Sequence, residues 1–135
     1  GCCFVHDDVT REQVMKEKKK HPEALILAHP ESRPEVAEIA DYVGSTSGII
    51  NFASESENKE FIIITEAGVL YELKKKNPDK CFFTIGKGQI CTGMKKISLD
   101  SVINALEEKV PEINMAAQLI GDAKAPMERM LELSK

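Results

Sequence analysis

Two short runs, Ala24-Leu25-Ile26-Leu27-Ala28 and Phe61-Ile62-Ile63-Ile64, carry no polar side chain on either alternating face, and each is followed by a helical pattern. A strand that is apolar on both faces must be covered on both, which is the condition of a strand inside a parallel sheet flanked by helices. The first run ends at His29-Pro30-Glu31. Ser32 then suits an N-cap, Pro34 a first helical turn, and Val36, Ala37, Ile39 and Ala40 give one apolar face up to Asp41. Tyr42-Val43 reads as a short strand, Gly44-Ser45-Thr46-Ser47-Gly48 as a tight turn, and Ile49, Ile50, Phe52 and Ala53 as a helix. The second run leads through Glu66-Ala67-Gly68 into a helix with Val69, Leu70 and Leu73 that stops at Asn77-Pro78, and residues 81–85 form a fourth strand in which Cys81 reads as core. Upstream, Thr10-Arg11-Glu12-Gln13 has the form of a capping box opening a helix to Lys20, and Cys3-Phe4-Val5 reads as the end of a buried strand. The expected class is therefore α/β: a three-layer α/β/α sandwich with a mainly parallel sheet of about four strands and right-handed crossovers.

After Ile85 the pattern changes. Residues 86–93 hold three glycines and no periodicity, and only helical patterns follow, over about 98–108 and 116–133, with Pro111 between them and Pro126 starting or kinking the last turns. The apolar residues Val102, Ile103, Leu106, Leu119, Met127, Met130 and Leu131 on these helices call for a cover from elsewhere. The chain opens without an initiator Met, which suggests a longer natural polypeptide. The expected organisation is a tail of a preceding domain over residues 1–5, an α/β domain over 6–88, and a loop with C-terminal helices over 89–135.

Composition narrows the function classes. With 42% hydrophobic and 30% charged residues the 135-residue chain has the profile of a soluble globular protein, with no apolar run of membrane-spanning length and no secretory leader pattern, so a cytoplasmic location is expected. A net charge of −4 and only 5% aromatic residues disfavour a nucleic-acid surface. In a reducing compartment the four cysteines, Cys2, Cys3, Cys81 and Cys91, read as buried thiols or metal ligands rather than a disulfide framework. Cys2, adjacent to Cys3 on the expected strand, would face the opposite side of the sheet.

Ligands of open α/β sheets gather beyond the carboxyl ends of the strands. That rule selects Cys3 and His6, His29 and Glu31, residues 45–47, Thr65 and Glu66, and Cys91. His29 and Glu31, two apart at a strand end, can serve one substrate as hydrogen-bond donor and general base if burial raises the carboxylate pKa, or can be a rigid turn around Pro30. Residues 44–48 can bind an anion at a helix start or merely cap it. Glu66 suits either a catalytic role or a helix dipole. Cys91 sits in a glycine-bearing loop where a thiolate could face a metal.

Several stretches taken together resemble one family. Gly1-Cys2-Cys3-Phe4-Val5-His6, His29-Pro30-Glu31, residues 41–48, Thr65-Glu66-Ala67-Gly68 and Cys91-Thr92-Gly93-Met94-Lys95-Lys96 resemble, in order and spacing, the C-terminal half of the quinolinate synthase A family. The resemblance implies an enzyme of NAD biosynthesis that condenses iminoaspartate with dihydroxyacetone phosphate to quinolinate. It implies a four-iron four-sulfur cluster held by three cysteines, one from each of three α/β domains, with an open iron acting as Lewis acid. Carried over, Cys3 and Cys91 match two cluster ligands, His29 and Glu31 the substrate-contacting histidine and general base, and Ser45 and Thr46 the loop that binds substrate oxygens. His6 would support the cluster ligand or pack beneath it, and Lys95 and Lys96 would raise the local positive potential or simply be solvated. The third cysteine and the first domain of the family have no counterpart here, so the helices would return to that missing domain and the segment alone would be inactive. Cys2 is a rival to Cys3, which fits the frame better, and Thr92 stands where the family often has proline. The rival readings are a non-catalytic α/β module that binds a small phosphorylated or carboxylated metabolite, and a purely structural or interaction domain.

Overall fold

The apolar runs fold as the middle of one parallel sheet. In the computed structural model, which describes residues 3–134, strands β1 (Leu25–Ala28), β2 (Tyr42–Val43), β3 (Glu60–Ile64) and β4 (Cys81–Thr84) lie in the order β2-β1-β3-β4, every neighbouring pair parallel. Leu25 pairs with Phe61 and Ala28 with Ile64, so the two apolar runs are direct partners along their length. Among the described residues five α-helices belong to the same unit: α1 (Phe4–Asp7), α2 (Arg11–Lys20), α3 (Pro34–Ala37), α4 (Thr46–Glu55) and α5 (Val69–Lys76).

Alternation along the strands divides the core into two sides. Ile26, Ala28, Ile62 and Ile64 pack with Val14 of α2 and Val36 of α3, whereas Leu27, Phe61 and Ile63 pack with Ile49 and Ala53 of α4 and with Val69 and Leu73 of α5. This is the three-layer arrangement expected of doubly apolar strands. Each of the large side chains that is fully withdrawn from water, such as Leu27, Phe61 and Ile63, contributes about 1.5–3 kcal/mol of transfer free energy.

The capping box at the start of α2 forms as expected. Thr10 accepts from the Gln13 amide at 3.3 Å, and the Gln13 side chain accepts from the Thr10 amide at 2.9 Å. Three local expectations are corrected. Cys3-Phe4-Val5 does not end a strand: the amides of His6 and Asp7 both donate to the Cys3 carbonyl, at 3.0 and 2.9 Å, and wind residues 4–7 into one helical turn that buries Val5 and His6. Three apolar residues are too few to distinguish a strand period from a helical one. Helix α3 ends at Ala37 rather than near Asp41, and Arg33, not Ser32, is its N-cap; Ser32 is instead buried. Cys81 is exposed, because it opens the edge strand β4 and alternation turns it to the face opposite Phe82, the residue that packs against α5. The expected orientation of Cys2 concerns a position outside the described residues.

The described residues separate into two compact units, the first running to Lys96 and the second starting at Ile97. The second contains α6 (Leu99–Glu107), opened by a Ser98–Ser101 capping box, and α7 (Ala117–Leu133), which is continuous through Pro126. Val102, Ile103, Leu106, Leu119, Met127, Met130 and Leu131 are all exposed. Among the described residues no helix is long and apolar enough to cross a membrane.

Candidate active site at the carboxyl edge of the sheet

The strand order creates one topological switch point. The chain leaves β1 through α3 toward β2 on one side and leaves β3 through α5 toward β4 on the other, so the carboxyl ends of β1 and β3 are where open α/β sheets place their ligand crevice. His29 follows β1 and Thr65 follows β3, and the His29 amide extends the ladder by donating to the Ile64 carbonyl at 3.2 Å. The short helix α1 delivers His6 to the same place.

His6 is the centre of a small polar cluster. Its ring stacks on that of His29 with centroids 4.3 Å apart and planes 10° from parallel. Its Nε2 lies 3.0 Å from Thr65 Oγ1, and both residues are buried. Its Nδ1 lies 3.3 Å from Glu31 Oε2, an ion-pair distance reached off the line of a good hydrogen bond, so this buried nitrogen has no well-aligned partner. Burial, and next the neighbouring His29, hold the His6 imidazole below the usual histidine range against the pull of Glu31. The Cys3 thiol, a His6 nitrogen and a Glu31 carboxylate oxygen all lie within 4.8 Å of one another. That is a soft sulfur donor with nitrogen and oxygen donors beside it, and the Cys3 thiol is free and half-buried.

The Pro30 turn fixes the tautomer of His29. The Glu31 amide donates to His29 Nδ1 at 3.2 Å, which occupies that lone pair and leaves the ring proton on Nε2, available to a substrate oxygen. The Glu31 side chain is 51% exposed, so the described residues do not supply the burial expected of a general base.

Glu66 has a different surrounding from its catalytic or dipolar expectation. Its Oε2 accepts from the Gly68 amide at 2.6 Å, its Oε1 accepts from the Cys91 amide at 3.3 Å and lies 3.2 Å from Lys95 Nζ, and its side chain is only 14% exposed. Burial alone would raise its pKa, but the Gly68 and Cys91 amides together with Lys95 hold the carboxyl below its usual range. A parallel bridge between Glu66 and Gln89, with the Ala67 amide donating to the Gln89 carbonyl at 2.7 Å, brings the glycine-bearing loop alongside. Cys91, half-buried and free, lies in this loop and outside the Cys3–His6–Glu31 group. Lys96 is exposed, whereas Lys95 is committed to Glu66.

Residues 44–48 lead from β2 into α4. Ser45 caps the helix by accepting from the Gly48 amide at 3.2 Å, while Thr46 is exposed in the first turn, where amides lack helical acceptors. The two glycines serve packing: a Cβ on Gly48 would sit 2.6 Å from the Tyr42 hydroxyl, one on Gly44 would strike the Tyr42 ring, and that ring stacks on Phe52. Sequence reasoning found no signal for this contact, nor for the Thr65–His6 pair or the Lys95–Glu66 pair, which join residues distant in sequence. Gln89 is also buried, with both side-chain polar atoms unpaired, and carried no sequence signal.

A parallel α/β sheet with a thiol, imidazoles and a carboxylate gathered at its switch point marks the class of α/β domains that place their ligand site at the carboxyl edge of the sheet. The comparison with protein families is specific: residues 1–132 match the model described as Quinolinate synthetase A protein, and the chain belongs to that family. It is 53% identical over 134 residues to a quinolinate synthase of Caldicellulosiruptor saccharolyticus, covering 99% of this chain and 44% of the relative. It is 47% identical to one of Thermodesulfovibrio yellowstonii, over 98% of this chain and 44% of the relative, and 42% identical to quinolinate synthase 2 of Methanosarcina acetivorans, over 99% and 43%. The chain thus spans less than half the length of these curated relatives.

Proposed function

We propose that this chain is a portion of a quinolinate synthase, contributing one α/β domain and C-terminal helices to an enzyme that condenses iminoaspartate with dihydroxyacetone phosphate to quinolinate in NAD biosynthesis. The observation that carries the reading is the convergence of Cys3, His6, His29, Glu31 and Thr65 on the crevice between β1 and β3, in a chain of this family. Residues 1–5 would close the preceding domain, 6–88 form this one, and 89–135 supply the ligand loop and the helices that pack on a first domain carried elsewhere in the polypeptide. A cytoplasmic, reducing compartment suits the three free thiols among the described residues.

Cys3 and Cys91 fit a four-iron four-sulfur cluster as thiolate donors, each half-buried and uncommitted, with the third cysteine contributed by another domain. When bound, that cluster supplies an electrophile for the oxygen lost in dehydration. The remaining work belongs to the chain's own groups. His29, with its proton on Nε2, donates to and orients a substrate oxygen. Glu31 takes the proton from the carbon adjacent to the leaving oxygen once the rest of the polypeptide covers its exposed side chain. His6, stacked on His29 and close to Glu31, keeps both at their stations. Thr46, in the first turn of α4, offers its hydroxyl and free amides to a carboxylate or phosphate, and Ser45 fixes that turn.

The experiment is the iron and acid-labile sulfide content of the full-length polypeptide purified without oxygen, with and without Cys91→Ser, together with quinolinate formation. About four of each per chain, lost on the substitution, is the expected result. Absence of iron from both forms after reconstitution overturns the reading.

A further inference from the structure

We propose that Glu66 is a positioning residue for the Cys91 loop, its carboxylate fixing the main chain at Cys91 where that thiol is needed. The inference rests on the ligand role proposed for Cys91. Apart from Glu66, the loop around Cys91 is held chiefly at Gln89, which is buried and whose carbonyl accepts from the Ala67 amide. Beyond the single Glu66–Gln89 bridge it has no strand ladder, it follows two glycines with positive φ, and Cys91 is followed by exposed residues. The Cys91 amide donates to Glu66 Oε1, and the Cys91 carbonyl accepts from the Lys95 amide at 3.1 Å. The same turn carries the Lys95 ammonium back to Glu66 Oε1. The carboxylate therefore contacts the loop at both ends of one turn, residue 91 and residue 95, while its other oxygen is tied to Gly68 at the root of α5. A carboxylate so largely withdrawn from water is stable only with such donors, and hydrogen bonds to an ionised acceptor are the stronger kind.

Thr65 and Glu66 are consecutive at the end of β3. Thr65 holds His6, whose own amide donates to the Cys3 carbonyl, and Glu66 holds Cys91. Two neighbouring side chains thus fix the segments that bear Cys3 and Cys91, which come from opposite ends of the unit, to one strand.

Two variants separate this role from a general loss of fold. Glu66→Gln keeps the shape of the side chain and removes the charge. Gly68→Ala keeps the charge: Gly68 has helical φ and ψ of −60° and −24°, which alanine adopts freely, but the added Cβ would lie 2.6 Å from Glu66 Oε2 and displace the carboxylate. The readout is the rate of iodoacetamide alkylation of each cysteine in the metal-free full-length polypeptide, resolved by peptide mass spectrometry, with iron content of the anaerobic protein beside it. In both variants Cys91 is expected to alkylate about tenfold faster, the scale of losing a bond to a charged group, with exposed Cys81 unchanged as the internal control and iron per chain reduced. Should Glu66→Gln fail to fold, Gly68→Ala decides. Folded variants that alkylate at Cys91 within about twofold of the parent overturn the role. A parent protein without iron overturns the cluster reading instead, and the alkylation rates still decide whether Glu66 anchors the loop.

Discussion

The Nε2 of His6 and the hydroxyl of Thr65 meet at 3.0 Å across 59 residues of sequence, joining the turn that begins at Cys3 to the end of the second core strand. Both residues are buried, so neither group can exchange this partner for water. Thr65→Val is therefore expected to leave a buried imidazole nitrogen unsatisfied and to cost about 1–3 kcal/mol, read as a lowered urea midpoint at constant slope. Thr65→Ser restores the hydroxyl and should recover most of that loss. A Thr65→Val midpoint equal to the parent's would overturn the expectation, since valine keeps the methyl and lacks only the hydroxyl.

The same ring gives a pH dependence with a definite sign. Burial and His29 lower the folded-state pKa of His6 below the ordinary 6.5, so as the pH falls through that value the unfolded chain binds the proton first. The stability that His6 contributes is complete above about pH 6.5 and is lost progressively as the pH falls from there toward the folded value. An NMR titration of the His6 ring should show a midpoint below 6.5, and His6→Gln should flatten the decline of the urea midpoint between about pH 7.5 and 5.5. A His6 midpoint above the ordinary value would contradict the geometry.

Gly44 is held small by Tyr42, whose ring lies where a Cβ would be and stacks on Phe52 at a centroid distance of 4.5 Å. Gly44→Ala should cost about 1–3 kcal/mol by overpacking. The penalty should shrink when Tyr42→Ala is introduced with it, and thermal melts of the four-member cycle measure the coupling. An undiminished penalty would place the conflict in the backbone.

Leu27 is fully buried in the central strand against α4 and α5. Leu27→Ala should destabilise by about 2–5 kcal/mol. Tyr71→Ala, on an exposed position of α5, should stay within about 0.5 kcal/mol. Chemical denaturation of both variants checks the contrast.

In the full-length enzyme, Glu31→Gln keeps the size of the side chain and removes the proposed base. Quinolinate formation should fall about 10²–10⁴-fold with iron content unchanged, a separation of chemistry from cluster retention. Loss of iron in this variant would instead make Glu31 part of what retains the cluster.

The layers were legible because β1 and β3 are apolar on both faces, a pattern that few other environments tolerate. The elements that were misread are those where short-range signals compete. Phe4 to Asp7 coils because the Cys3 carbonyl collects two amides, which three apolar residues do not announce. Cys81 is exposed because strand order, not composition, puts β4 at the edge. At the site, the rule of strand ends selected His6, His29, Glu31, Thr65, Glu66 and Cys91. It could not show that Thr65 grips His6 or that Glu66 grips the Cys91 loop, since both contacts join the end of β3 to segments remote in sequence, the first helical turn and the loop after β4. Residues 44–48 read in the sequence as an anion site or a helix cap, and nothing in that pattern announced that the two glycines also make room for an aromatic ring.

β1 is hydrogen-bonded on both edges, to β2 and to β3, and its three last residues are buried. In native-state hydrogen exchange its amides should be among the last to open, along with those of β3, while the edge strand and helix ends exchange through smaller fluctuations. His29 and Thr65 hang directly from these two strands, so their spacing survives every partial unfolding that leaves the sheet's middle intact, and loops can loosen around the crevice without dissolving it.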